Sequence, residues 1–223
     1  MKDDKYVSNL ENIIKQMLQP LRDIPFNLVI EAMTGKKVVS FDFTNLSHKE
    51  VLELLKQSAL NAGREINKTG ILRPRPNEVG NDIEPYVRNA LNFCGLNADI
   101  PVGPSGRKKT TGYPDIIFWH KNLPYYLECK TYNIENIATT QRSFYFSPSD
   151  EFKVIYDAPH FILSYEIYVA GESGNKHIYK CKHYKILSIE SLSLDVKYEF
   201  NSDNKRMYSG KDGTSILDEG EIE

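Results

Sequence analysis

Cysteine is scarce: three residues in 223, Cys94, Cys129 and Cys181. An odd number with no paired spacing offers neither a disulfide framework nor a zinc site. Long apolar runs are missing too. No stretch approaches the roughly 20 apolar residues that span a bilayer as a helix. The opening Met1-Lys2-Asp3-Asp4-Lys5 lacks the apolar segment of a secretory signal. The expected setting is a soluble, reducing cytoplasm, with no membrane partner. An excess of one charge is also absent. Lys and Arg number 28 and Asp and Glu 30, for a net charge of −2. That excludes a protein that coats nucleic acid indiscriminately, because such binding is mostly phosphate neutralisation. It leaves room for a local basic cleft. The five histidines form no metal-spaced group. What is present is a hydrophobic fraction of 40% and an aromatic fraction of 11%, enough for a real core.

Apolar residues at Val7, Leu10, Ile13, Ile14, Met17 and Leu18 predict a helix over 6–19, ended by Pro20. A second helix is predicted over 47–62, with Ser47 as N-cap, Glu50 closing a capping box, and Val51, Leu54, Leu55 and Leu60 on the apolar face. Between them, Val38, Val39, Phe41 and Phe43 suggest an extended piece. Gly70, Pro74, Pro76 and Gly80 make 70–82 a loop. A third helix, 82–94, starts near Asn81 or Asp82 so that Pro85 falls in its first turn. Two strand-like segments, 113–119 and 125–132, flank His120-Lys121-Asn122-Leu123-Pro124 and read as a β-hairpin. Residues 134–146 read as a polar helix. The most apolar strand is 160–170, turned by Gly171 to Gly174 into a returning segment at 177–189. The expected organisation is a mainly helical N-terminal region (1–70), a core (71–215) and an acidic tail (216–223). The 1–70 region is a candidate dimerisation or DNA-clamp element.

The acid-x-Lys tripeptide occurs five times, starting at Asp3, Glu128, Glu151, Asp195 and Asp203. Only Glu128-Cys129-Lys130 stands in a strongly strand-like segment. Pro-Asp occurs once, at Pro114-Asp115, opening the preceding strand. If the hairpin turns between Lys121 and Asn122, Asp115 faces Glu128, Tyr113 faces Lys130, and Ile116 faces Leu127 on the core side. Period-two alternation puts Lys130 on the face of Glu128. A one-residue slip would scatter the group. Two adjacent carboxylates repel unless a cation lies between them. Mg²⁺ accepts such oxygen ligands together with waters and substrate phosphate. The Cys129 carbonyl is a further oxygen. Lys130 can hold an attacking water or stabilise charge on a phosphorane-like transition state.

Pro-Asp, a short gap, then Glu-x-Lys on the next strand resembles the PD-(D/E)XK nuclease superfamily, whose best-known members are type II restriction endonucleases. The resemblance spans roughly residues 77–170. It implies an α/β (α+β) fold: a central mixed β-sheet flanked by helices. It implies that Asp115 and Glu128 ligate Mg²⁺ and that Lys130 acts on the nucleophilic water. It also implies an acid on the preceding helix, matched here by Glu84 with Glu78 as competitor, for a second ion or a metal water. The block Gln141 to Ser149 through Asp157 to His160 is similar to some restriction enzymes.

The expected function is Mg²⁺-dependent hydrolysis of double-stranded DNA at a short palindrome. A homodimer is expected, because two active sites must cut two strands. No nucleotide cofactor is expected. Candidate DNA contacts are Arg73, Arg75, Arg107, Lys108 and Lys109, and a second cluster at Thr139, Thr140, Gln141 and Arg142. The lysines 176, 180, 182 and 185 form another basic group. The alternatives are a resolvase or repair nuclease of the same fold, which a strongly basic surface would favour, and a non-catalytic DNA-binding module.

Overall fold

The structure, a computed structural model, describes residues 4–19, 21–108, 111–133, 144–146 and 151–196. Its packing divides the chain into two units, Ile24–Ser193, and Met1–Asp23 with Leu194–Glu223. In the second unit, helix α1 (Asp4–Met17) shows the expected helical spacing. Elsewhere in that unit, the Val196 N–H donates to Leu21 O and the Asp23 N–H to Asp195 Oδ1.

The larger unit carries α2 (Phe26–Thr34), α3 (Leu46–Thr69) and α4 (Gly80–Phe93). Its strands begin with β1 (Ile24–Pro25), β2 (Ile71–Arg73), β3 (Asn97–Asp99) and β4 (Ile116–His120). They continue with β5 (Leu123–Tyr132), β6 (His160–Ser173) and β7 (Lys176–Ser188). Six of them form one sheet in the order β2-β7-β6-β5-β4-β3. Only β5 and β6 run parallel; the other neighbours are antiparallel. This is a mixed sheet flanked by helices, a restriction-endonuclease-like α+β fold.

Alternation decides which face is buried. Tyr125, Leu127 and Cys129 of β5 point to the core with Phe161, Leu163, Tyr165 and Ile167 of β6. Val51, Leu55, Ala59, Ala62 and Ile66 of α3, and Ile83, Val87, Ala90 and Leu91 of α4, cover that face. Their i, i+4 spacing makes one apolar stripe per helix. The Tyr165 hydroxyl donates to Ala59 O at 2.7 Å, so its one polar group is satisfied inside the core. Asn67 finishes the docking of α3. Its side chain accepts from Cys181 N at 2.7 Å and donates to Cys181 O at 2.8 Å. Strand β2 pairs with β7 only at residues 177–179. Asn67 thus does for Cys181 what a longer neighbouring strand would have done.

Several local expectations need correction. The N-cap of α3 is Asn45, whose Oδ1 accepts from Ser47 N and His48 N; Glu50 instead meets Lys121 and His120 of the hairpin. Asn45 wins because its short amide reaches two otherwise unpaired helix N–H groups. Leu60 lies off the buried stripe and is exposed. Helix α4 begins at Gly80, so Pro85 is its sixth residue, beyond the first turn. The extended piece expected at Val38, Val39, Phe41 and Phe43 reduces to a single bridge from Val38 to Ala158, and α2 (Phe26–Thr34) precedes it. Part of the 70–82 loop is edge strand β2. The β6–β7 turn sits at Gly174, where φ is +62, a value glycine adopts without strain. Of the predicted 134–146 helix, residues 134–143 lie outside the described residues, and 144–146 form no regular structure.

Candidate active site

The β4–β5 hairpin has the expected register. Lys121 and Asn122 both take positive φ (50 and 63), as a two-residue hairpin turn of the primed type requires. Ile116 then pairs with Leu127 and Phe118 with Tyr125. The ladder stops at Ile116. Asp115 therefore stands one residue before β4 instead of opening it, and Tyr113 is not a ladder partner of Lys130. Asp115 is anchored to β5 directly: its Oδ2 accepts from the Cys129 N–H at 2.8 Å.

Glu128 lies on the sheet face opposite the helix-covered core and is only 5% exposed. Its Oε1 accepts from Lys130 Nζ at 2.6 Å. Its Oε2 is buried and has no donor among the described residues. Burial pushes the Glu128 carboxyl upward, and the charge of Asp115 pushes it further; Lys130 opposes both. Burial likewise raises Asp115, against the Cys129 N–H and the charges of Lys130 and Lys153. Glu84, on α4, is pushed up to about 7, first by burial and then by the charge of Asp115. Glu78 instead stands beside Arg75 at 3.4 Å.

Three carboxyl groups from a loop, a strand and a helix thus share one electrostatic environment, and burial disfavours the charge of each. A divalent cation reverses that balance. Among the described residues, no three His, Cys, Asp or Glu side chains are gathered to hold a metal by themselves. The donor set fits an ion that takes few protein oxygens and completes its shell with water and phosphate. The orphaned Glu128 Oε2 is the atom for which such an ion would serve as partner.

Beside this group lies an aromatic cluster. Tyr113 Oη and His160 Nδ1 share a 2.5 Å hydrogen bond, and the rings of Phe26 and Phe144 contact that of Tyr113. Lys130 Nζ lies 5.9 Å from the centre of the Phe144 ring.

The expected DNA contacts are placed differently. Arg73 makes a two-pronged ion pair with Asp82 (2.6 and 2.7 Å), and Lys108 pairs with Asp99 at 2.6 Å. Arg75 faces Glu78, and Arg107 is exposed. Lys109, Thr139, Thr140, Gln141 and Arg142 lie outside the described residues. One residue escaped the sequence pattern altogether. Lys153 is 3% exposed and its charge acts on Glu84, Asp115 and Glu128. It closes another of the five acid-x-Lys tripeptides, Glu151-Phe152-Lys153, but no strand pattern around it announces burial.

A helix-backed mixed sheet that gathers carboxyl groups and a lysine beside a Pro-Asp turn describes a nuclease of the restriction-endonuclease class. Residues 20–211 match the model of the type II restriction enzyme MjaV family. The chain is 37% identical over 224 residues to the type II restriction enzyme MjaV of Methanocaldococcus jannaschii, covering 93% of this chain and 95% of that protein. The chain belongs to the type II restriction enzyme MjaV family, and is a site-specific deoxyribonuclease. No solved structure matches it. Among the described residues, no helix is long and apolar enough to cross a membrane.

Proposed function

We propose that the enzyme is a PD-(D/E)XK nuclease that hydrolyses double-stranded DNA at a short palindrome, using Mg²⁺ and acting as a homodimer. The observation that carries this reading is the Asp115–Cys129 hydrogen bond, which brings a second carboxylate beside the unpartnered Glu128 Oε2. Asp115, Glu128 and the Cys129 carbonyl would hold the ion, with Glu84 reaching a second ion or a water. When bound, Mg²⁺ supplies polarisation of the scissile phosphate and neutralises charge that builds on it. Lys130, fixed by its bond to Glu128, orients the attacking water and stabilises negative charge on the phosphoryl oxygens. The water adds to phosphorus, the phosphorus–oxygen bond to the sugar breaks, and the leaving oxygen takes up a proton.

The sheet face of Glu128 and Lys130 continues toward β7. Lys130 pairs with Ser164, which pairs with Lys185, and directly paired side chains share a face. Lys180 opposes Tyr168 on the same face. Lys185 and Lys180 are our candidates for phosphate contacts, beside Arg107. We keep the N-terminal helical region (1–70) as the candidate dimerisation or clamp element of the nuclease core (71–215).

The test is digestion of plasmid and phage DNA with Mg²⁺. Discrete, reproducible fragments are expected. Asp115→Ala and Lys130→Ala should each abolish cutting while leaving DNA binding within a few-fold of wild type. Cutting near the wild-type rate by either variant overturns the site assignment.

A further inference from the structure

Lys153 lies in the connection between β5 and β6, and burial of a lysine is costly unless its ammonium is well partnered. Here the Nζ donates to the carbonyl oxygens of Gly112 and Pro114, the latter at 2.7 Å. Those two carbonyls bracket Tyr113, and Pro114 is joined directly to Asp115. The same backbone is held from a second side, where the Tyr113 N–H donates to Tyr145 O at 3.1 Å. Gly112 has φ +81, and a Cβ there would come within 3.3 Å of Tyr145 O, so that turn is tightly enclosed. A buried cation therefore bonds two carbonyls of the turn that presents Asp115.

We infer that Lys153 is a positioning residue of the cleavage site, tying the Gly112–Pro114 turn in place so that Asp115 reaches the Cys129 amide. It rests on the reading of Asp115 and Glu128 as that site. Neutral N–H donors could have satisfied the Gly112 and Pro114 carbonyls; the lysine ammonium adds a positive charge that Glu84, Asp115 and Glu128 all feel. Lys153 thus does two things with one group. It fixes the geometry of Asp115, and it offsets part of the repulsion among the three carboxylates.

A displacement of about 1 Å in a catalytic group costs on the order of a hundredfold in rate. The experiment compares Lys153→Met, Lys153→Gln and Lys153→Arg with wild type and with Asp115→Ala. The substrate is a duplex fragment that the wild-type enzyme cuts. Single-turnover cleavage, equilibrium binding of the same duplex without divalent metal, and thermal melting are measured for each. Lys153→Met should lose about a hundredfold in cleavage rate with duplex binding within about threefold of wild type. Lys153→Arg should recover at least about tenfold of that loss. If Lys153→Met does not fold, Lys153→Gln replaces it, because a neutral amide keeps a hydrogen-bond donor at the buried position. Cleavage by the folded Met or Gln variant within about threefold of wild type overturns the inference. So does a parallel loss of binding and cleavage without rescue by Arg, since that marks a residue that only holds the fold. If Asp115→Ala itself cuts normally, it is the site reading that fails, whatever Lys153 does.

Discussion

His160 begins β6 with 1% exposure, its Nδ1 bonded to Tyr113 and its Nε2 without a partner among the described residues. Burial pushes its pKa down to about 3 from an ordinary 6.5. The unfolded chain therefore binds a proton that the folded chain refuses, between about pH 3 and 6.5. Stability contributed by the neutral ring is complete above about pH 6.5 and is lost as pH falls toward 3. At pH 5 the loss is about 2 kcal/mol, from 1.4 kcal/mol per pH unit over the 1.5 units below 6.5. Urea titrations at pH 7.5 and pH 5 should show His160→Gln losing about 2 kcal/mol less than wild type between the two. An unchanged difference would show that His160 is not the group responsible. A histidine in the sequence carries no mark of this role; the three rings around it come from α2, the Asp115 turn and β5.

Elements decide what the residues can do together. The β4–β5 hairpin is local, and its turn and alternation are written in Lys121-Asn122 and in the apolar residues beside them. That is why its register, and the placing of Glu128 and Lys130 on one face, could be read from numbering alone. The placing of β7 could not. Strand β7 reaches that same face only through the parallel β5–β6 pairing, which joins residues about 34 positions apart, and then through the antiparallel return. This puts Lys185 two strands from Lys130, with its Nζ 5.0 Å from the Tyr132 ring centre. If Lys185 holds a phosphate, Lys185→Ala should weaken binding to every duplex by a similar factor. It should also reduce the slope of log K against log salt by about one. An unaltered slope would remove Lys185 from the DNA interface. Arg73 and Lys108 make the converse point: both looked available in loops, yet Asp82 and Asp99 already engage them.

At the scale of the whole molecule, the proposed reading sets one active site per chain against a substrate with two strands. A two-fold assembly of this chain on a palindrome places one site on each strand. Analytical ultracentrifugation should give a dimer mass at micromolar protein. Supercoiled plasmid carrying one site should pass directly to linear DNA, and a persistent nicked intermediate with a monomer mass would refute the homodimer. Addition of EDTA should stop cutting without unfolding the protein, because the core lies on the other sheet face and contains no metal-holding cluster among the described residues.

Local pattern determined that one hairpin sets Glu128 and Lys130 side by side, and that amphipathic helices accompany apolar strands; the mixed sheet followed only from the family resemblance. The local properties depend on near neighbours: a two-residue turn, period-two strands and helical apolar stripes. Tertiary structure decided the rest. It brought Glu84 from α4 within reach of the Asp115 charge, bound Asp115 to the Cys129 amide, and buried Lys153 behind the Pro-Asp turn. Each of these links positions from 14 to 41 residues apart in the chain. Burial and charge at such contacts come from packing between elements, for which no local period exists to be read.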